Sequence, residues 1–391
     1  MNRIAILSLN LNGYGTERTM FNLALGFIER GIAVDLVLVN AQGSLLTQVP
    51  AGIRLIILQR RGLLARVPLV RNVPSLIRYL RRERPTVLLS AFEQTNIAAL
   101  WAWRIAQVPT RIVISAHFPF TRHFLMNSPY LGERFFLPKL VRRFYPWAAA
   151  IVAVSQGAAD DLASVTGLPA ERIQVVYNPV PPDLAARAAQ PLDHPWFAPG
   201  EPPVILAVGR LTRQKDFPTL IKAFHLVRRD RPARLLILGD GEERAALEEL
   251  VRGLGLEQDV SLGGFIEHPY PYMARAAVFV LSSAWEALPV VLLEALTLGT
   301  PIVATDCDSG PQEILEGGRW GTLVPVADRA ALAKAILVTL DTARPGVSTE
   351  ASARFAHDRI VDQYLNILLC GDTSSAASST TSVEPRQDVA L

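Results

Sequence analysis

Cysteine, long apolar runs and complete glycine fingerprints are scarce in this 391-residue chain. Its two cysteines, Cys307 and Cys370, lie far apart and form no metal-ligand spacing, which fits a reducing compartment. No apolar run reaches the ~18–20 residues of a membrane-spanning helix. The N-terminal "RIAILSLNLNGYG" has the flavour of a signal peptide, but Asn10 and Asn12 interrupt it and no small-residue cleavage site follows. It is expected to form a first buried strand. Neither half carries the glycine spacing and acidic follower of a dinucleotide site, which argues against a nicotinamide oxidoreductase. The expectation is a cytoplasmic protein.

What is present points to two domains. Half of the residues are hydrophobic and 19% are charged, a globular composition, and the length exceeds one ordinary core. The net charge of +3 hides an asymmetry: residues 1–180 hold 20 Lys and Arg against 9 Asp and Glu, whereas the remainder holds 19 against 27. Short Val/Ile/Leu runs alternate with helix-like segments throughout, from "RIAILSL" to "AIVAVS" and again from "VILAVG" to "GTLVPV". Such runs predict parallel sheets covered on both faces, hence two α/β doubly wound, Rossmann-like domains. The first is expected over 1–180 and the second over 204–350. Between them, 181–203 has a Pro-rich linker composition. A C-terminal helix is expected over 351–369, followed by a polar, disordered tail over 370–391.

In open parallel sheets, ligands bind where strands end and helix N-termini offer unpaired N–H groups. In "LNLNGYGTERTMFNLALGF", Gly13 and Gly15 permit a tight turn close to a ligand, and Thr16 could cap the helix; an ordinary βα turn would look the same. In "VILAVGRLTRQKDFPTLIKAF", Gly209 follows a strand, and Arg210 and Lys215 form either a diphosphate clamp or a solvated basic loop. "RLLILGDGEERAALEEL" carries a Gly-Asp-Gly turn signal with a structural reading. Asp306-Cys307-Asp308 matches a metal-binding triplet, yet a turn explains it better, because hard cations need more than two oxygen ligands. No metal is expected.

The stretch "SSAWEALPVVLLEA" places Glu286 and Glu294 around an almost wholly apolar run. Pro289 suits a first helical position, which puts Glu286 in the preceding loop and Glu294 inside the helix. At ~1.5 Å per residue the carboxylates stand roughly 8–12 Å apart, too far for a shared acid dyad. They could instead grip two parts of one extended ligand. In the first half, His117 follows the strand of "RIVISAHF", and Glu93 and Asn96 follow another strand, all facing the same cleft.

Together these residues resemble the retaining glycosyltransferases of family 4, which have the GT-B fold. The Glu-x7-Glu spacing of Glu286 and Glu294 is the strongest match, supported by "VGRLTRQKDF", "VVYNPV" and "DCDSGPQEIL". "GYGTERTMFNLA" matches the family's Gly-Gly-x-Glu-Arg run with Tyr14 in place of the first glycine. The resemblance implies a nucleotide-sugar co-substrate, most often a UDP-sugar, with no cofactor and no metal. It implies that Arg210 and Lys215 hold the diphosphate, Glu294 accepts from the ribose hydroxyls, and Glu286 touches the transferred sugar. Leu288, Pro289 and Val290 would support the phosphates, with Gly15, Thr16 and Gly209 lining the donor site. Ile266 would contact the base, and His117 would lie near the sugar and acceptor, with Glu93 and Asn96 on the acceptor side. A sugar-nucleotide epimerase on the same fold, or a binding protein that lost catalysis, are the alternatives.

Two segments interleave basic and apolar residues: Arg54 to Arg84, and "RFFLPKLVRRFYPW" around Lys139, Arg142 and Arg143. Such segments can lie on anionic lipid, or pack on the sheet as ordinary amphipathic helices with solvated arginines. The expected partners are a nucleotide sugar, a glycan or lipid-linked acceptor and an anionic membrane surface. No nucleic-acid module is present.

Overall fold

The protein is described by a computed structural model over residues 2–58, 72–126, 131–342, 344 and 346–370, with the backbone alone at 131–133. The first sheet comprises β1 (Arg3–Ser8), β2 (Ala33–Leu38), β3 (Ile53–Ile57), β4 (Val87–Ser90), β5 (Arg111–Ala116), β6 (Ala150–Ala153) and β7 (Ile173–Val175). Its order is β3-β2-β1-β4-β5-β6-β7, and all of its pairs are parallel. The second comprises β8 (Val204–Val208), β9 (Arg234–Leu238), β10 (Val260–Gly264), β11 (Val278–Leu281), β12 (Ile302–Thr305) and β13 (Thr322–Val324). Its order is β10-β9-β8-β11-β12-β13, again parallel throughout.

The apolar runs are strands because both of their faces are covered. Every residue of β4, β11 and β12 is buried, as parallel strands under helices require. Strand β7 adds a three-residue edge that no long apolar run announces. In each sheet the order reverses beside its first strand, at β1/β4 and at β8/β11. The loops that leave those strands border the crevice in which such sheets bind ligands.

The Pro-rich connection is more than a linker. It contains the helix Leu184–Ala188, whose two end residues are buried. His194, Phe197 and Tyr272 meet edge to face, and Arg234 lies over the Trp196 ring at 5.3 Å. The prolines end regular structure there without preventing packing.

The C-terminal segment divides into two helices. Thr349–Ala353 stays with the second domain, beside the helix Val290–Thr297, while His357–Leu365 lies on the first-domain helix Gly15–Glu29. The chain crosses between domains beside its earlier crossing: Val180 N donates to Phe355 O at 3.1 Å, and the Tyr177 and Phe355 rings are 5.2 Å apart. Ile360, Val361, Tyr364 and Leu368 complete the first-domain core around Met20, Leu23 and Phe27.

Of the two basic segments, 59–71 fall outside the described residues. Arg54 is committed to the protein, donating to Asp35 at 2.9 and 2.6 Å and to Glu83 at 2.7 Å. The helix Leu131–Phe144 differs: Phe135 and Phe136 are each 65% exposed, beside exposed Arg134, Lys139, Arg142 and Arg143.

The C-terminal helix can approach because Gly26 has no side chain. A Cβ there would lie 2.4 Å from Val361 Cγ2 and 2.8 Å from His357 Cε1. Gly26→Ala gains up to ~1 kcal/mol of helix propensity, but overpacking a filled contact costs ~1–3 kcal/mol. A net loss of about 1 kcal/mol in unfolding free energy is expected by urea titration; an unchanged or stabilised variant would show that the two helices do not pack this way.

Candidate active site

A cavity of about 620 Å³ lies between the domains, at the carboxyl ends of β1, β4, β5, β8 and β11. Its first-domain wall includes Gly15, Thr16, Glu93 and His117; its second-domain wall includes Gly209, Arg210, Lys215, Ile266, Glu286, Leu288, Pro289, Val290 and Glu294. All candidate residues but one therefore converge on a single space. The exception is Asn96, which is fully buried behind the wall. Its amide accepts from the Tyr145 hydroxyl at 3.1 Å and donates to Ser90 O at 2.9 Å. Asn96 is a core residue that satisfies a strand end, not an acceptor contact.

Two local expectations shift by about a residue. The helix Gly15–Glu29 is capped at Tyr14, so Thr16 lies within the first turn rather than capping it. Pro289 is the cap of the helix Val290–Thr297 rather than its first residue. With its φ of −69°, it starts the helix at the cavity wall, where Leu288, Pro289 and Val290 are lining residues.

Glu286 is buried in the loop before that helix and held by three donors. Lys215 Nζ lies 2.5 Å from Oε1, Ser283 Oγ donates to Oε1 at 2.7 Å, and Gln214 Nε2 donates to Oε2 at 3.4 Å. Ser309 Oγ donates to the Glu286 carbonyl at 2.6 Å and fixes the backbone. An ion pair with this many hydrogen bonds is how a buried carboxylate avoids a large desolvation penalty. Arg210 is more exposed. It reaches Glu242 at 3.3 Å and lies over the Tyr14 ring at 5.4 Å, at the seam of the two domains.

Glu294 has no exposure at all. Burial pushes its carboxyl above the usual range, opposed by the Arg18 charge and the Tyr270 hydroxyl. Tyr270 Oη donates to Oε1 at 3.2 Å, and Arg18 Nη1 lies 3.5 Å from the same oxygen. Oε2 has no hydrogen-bond partner among the described residues. A buried, unpartnered acceptor oxygen on a cavity wall is a group prepared for a ligand donor.

His117 is buried, with Nε2 3.0 Å from Ser115 Oγ, which lies 3.2 Å from the Tyr364 hydroxyl. The C-terminal helix thus ends a hydrogen-bond chain under the site. Burial drives the imidazole down to about 3, so His117 is neutral near pH 7. Asp308 pairs with Arg122 of the first domain at 2.5 Å, and Cys307 is buried with its thiol pushed up to about 12 by burial. Asp308 of the triplet therefore serves the domain seam. Glu17 and Arg18 both line the cavity. The sequence places them in the Gly-Gly-x-Glu-Arg match but gives neither a role.

With this geometry in view, comparisons with known proteins agree on one family. The model described as "Glycosyltransferase Family 4" matches residues 14–184, and "Glycosyl transferases group 1" matches 202–342. The N-acetylgalactosamine-N,N'-diacetylbacillosaminyl-diphospho-undecaprenol 4-alpha-N-acetylgalactosaminyltransferase of Campylobacter jejuni is 30% identical over 66% of this chain and 68% of its own length. The lipopolysaccharide core biosynthesis glycosyltransferase LpsE of Rhizobium meliloti is 35% identical over 44% of this chain and 51% of its own. The chain spans 28% to 68% of the length of the curated relatives it matches first. Among solved structures, Anabaena HepE in complex with UDP-glucose superposes with a TM-score of 0.78 at 22% identity, covering 94% of this chain and 99% of that one. At that identity the likeness speaks for the fold, two Rossmann-like domains across a cleft.

His117 also predicts a pH dependence. The unfolded chain binds a proton below about 6.5 and the folded chain only near 3, so stability falls as pH drops through that window. Between pH 7 and pH 5 this costs about 2 kcal/mol. His117→Gln should lose correspondingly less stability over that range in urea titrations; equal losses would mean that the imidazole is not held neutral.

Proposed function

The chain belongs to the family 4, group 1 glycosyl transferases, and from that premise we propose that it is a retaining, metal-independent hexosyltransferase. It moves a sugar from a UDP-sugar to a glycan or lipid-linked acceptor in cell-surface polysaccharide or glycolipid assembly. The observation that carries this reading is the Glu294 carboxylate, buried on the cavity wall with Oε2 unpartnered, in the same cavity as the braced Glu286–Lys215 pair. One carboxylate accepts from the ribose hydroxyls and the other from hydroxyls of the transferred sugar. Between them the diphosphate lies on the amide end of the helix Val290–Thr297, against Arg210 and Lys215, with the base at Ile266. The complex of HepE with UDP-glucose supports a uridine nucleotide.

The chemistry follows from these charges. As the bond from the sugar's anomeric carbon to phosphate breaks, negative charge grows on the departing UDP. Fixed cations and helix amides stabilise that charge without reorganising. The acceptor oxygen bonds to the anomeric carbon on the face that UDP leaves, and the departing phosphate oxygen takes the acceptor's proton. Glu286 is engaged by Lys215, Gln214 and Ser283, so it orients the sugar rather than attacking it. Neutral His117 offers hydrogen bonds to sugar or acceptor without adding charge. No metal ion or other cofactor is needed for this charge balance.

The acceptor side of the reading rests on surface chemistry. The exposed pair Phe135 and Phe136, set among Arg134, Lys139, Arg142 and Arg143, suits a peripheral contact with anionic lipid at the inner face of the cytoplasmic membrane. The names of the Campylobacter and Rhizobium relatives, a diphospho-undecaprenol sugar transferase and a lipopolysaccharide enzyme, support a lipid-linked or lipopolysaccharide-type acceptor.

Incubation with a panel of nucleotide sugars should give UDP release with a UDP-sugar, unchanged by a chelator. Glu294→Ala and Lys215→Ala should each weaken donor binding by about tenfold or more, the effect of losing a charge-assisted hydrogen bond. Wild-type donor affinity in both variants would remove the clamp. In flotation with anionic vesicles, the wild type should rise with the lipid at low salt, and Phe135→Ser/Phe136→Ser should remain below. Equal flotation of the two would end the membrane assignment of this helix.

A further inference from the structure

The partner of the ribose-binding carboxylate comes from the other domain. Arg18 stands in the first turn of the helix Gly15–Glu29, and its side chain crosses the cleft with only 14% exposure. Nη1 donates to Tyr270 Oη at 3.0 Å, and Nη2 donates to Glu267 O at 2.7 Å. Tyr270 Oη in turn donates to Glu294 Oε1 at 3.2 Å. The donors thus run in one direction, from guanidinium to phenol to carboxylate, and they finish on Oε1. Oε2 is buried without a hydrogen-bond partner among the described residues, on a side chain that lines the cavity. A second first-domain residue braces the same loop, since Gln48 Nε2 donates to Glu267 Oε1 at 2.6 Å.

Among the described residues, the second domain supplies Glu294 with a phenol and no cation in contact. The groups around it are Arg18 and Tyr270, with Glu267, His268 and Arg187 next to Tyr270. A carboxylate with no exposure is costly to ionise without a cation nearby. We propose that Arg18 is a positioning residue that makes ribose recognition conditional on closure of the cleft. When the first domain docks, its guanidinium orders Tyr270 and holds Glu294 ionised, so that Oε2 accepts from the ribose. When the domains part, Glu294 loses its cation and becomes a poorer acceptor. By reciprocity, a nucleotide whose ribose is held must favour the docked arrangement by the same factor. A guanidinium suits the task because its fork meets Tyr270 Oη and Glu267 O at once, which a single ammonium on a flexible stem does less well.

This inference deepens the nucleotide-sugar reading and rests on it. The test is calorimetric titration of the full chain with UDP and with its 2′,3′-dideoxy analogue, at pH 6.5 and pH 8.5. The wild type should prefer UDP by about tenfold or more at both values. Arg18→Met should lose most of that preference at pH 6.5 and regain part of it at pH 8.5, because higher pH favours the ionised carboxylate. Arg18→Lys should fall between. If Arg18→Met keeps the wild-type preference at both values, or loses it equally at both, the positioning role is overturned while the donor site stands. If wild-type protein binds no UDP, or Glu294→Ala keeps the preference, the donor reading fails and this proposal fails with it.

Discussion

A carboxylate buried out of reach of water must be paired, neutral or waiting for a ligand, and Glu294 governs much of how this molecule is arranged. Its nearest cation among the described residues belongs to the other domain, so the proposed donor site depends on the two sheets facing each other in one register. Other contacts hold that register. Glu313 accepts from the backbone N–H groups of Gln156 and Gly157 at 2.9 and 3.0 Å, so a second-domain carboxylate caps a first-domain helix. Asn178 Nδ2 donates to Leu288 O at 3.3 Å, tying the interdomain crossing to the loop that carries the site. Arg122 and Asp308 add an ion pair, although its exposure makes it a weaker contributor.

The Glu286 end of the cavity solves the same problem differently. Its cation, Lys215, comes from the same domain, and so do Ser283 and Gln214. That end is preorganised whatever the first domain does. The two glutamates therefore differ in dependence as well as in the target proposed for each: one is locked in place, the other is completed across the cleft. The backbone adds to this rigidity. Gly239 adopts a φ of +149°, and a Cβ there would fall 1.8 Å from Gly209 O, so the two turns of the second domain fit together only without a side chain at Gly239.

Most strands and the paired glutamates were legible in the sequence because each has a local cause. Continuous Val/Ile/Leu runs mean strands buried on both faces, and two carboxylates in an apolar run need an explanation. What escaped had a distant cause. Strand β7 is a three-residue edge whose pairing with β6 comes from the sheet rather than from its own pattern. Asn96 was assigned to the cleft because it follows a strand, but it turns inward to Ser90 and Tyr145. Proline content hid the buried Leu184 and Ala188 of the connection between domains. Arg18 stood in a matched motif, but its role was not legible, because its partners are more than 200 positions further along the chain.

The central claim is that Glu286 and Glu294 hold two parts of one nucleotide sugar with the diphosphate between them. A crystal structure of the protein with an intact UDP-sugar tests it most directly. The account predicts ribose hydroxyls within hydrogen-bond distance of Glu294 Oε2, phosphate oxygens against Arg210, Lys215 and the first amides of the helix Val290–Thr297, and the sugar ring beside Glu286. A nucleotide bound in the cavity with its ribose away from Glu294, or with its phosphates away from that helix end, would contradict it.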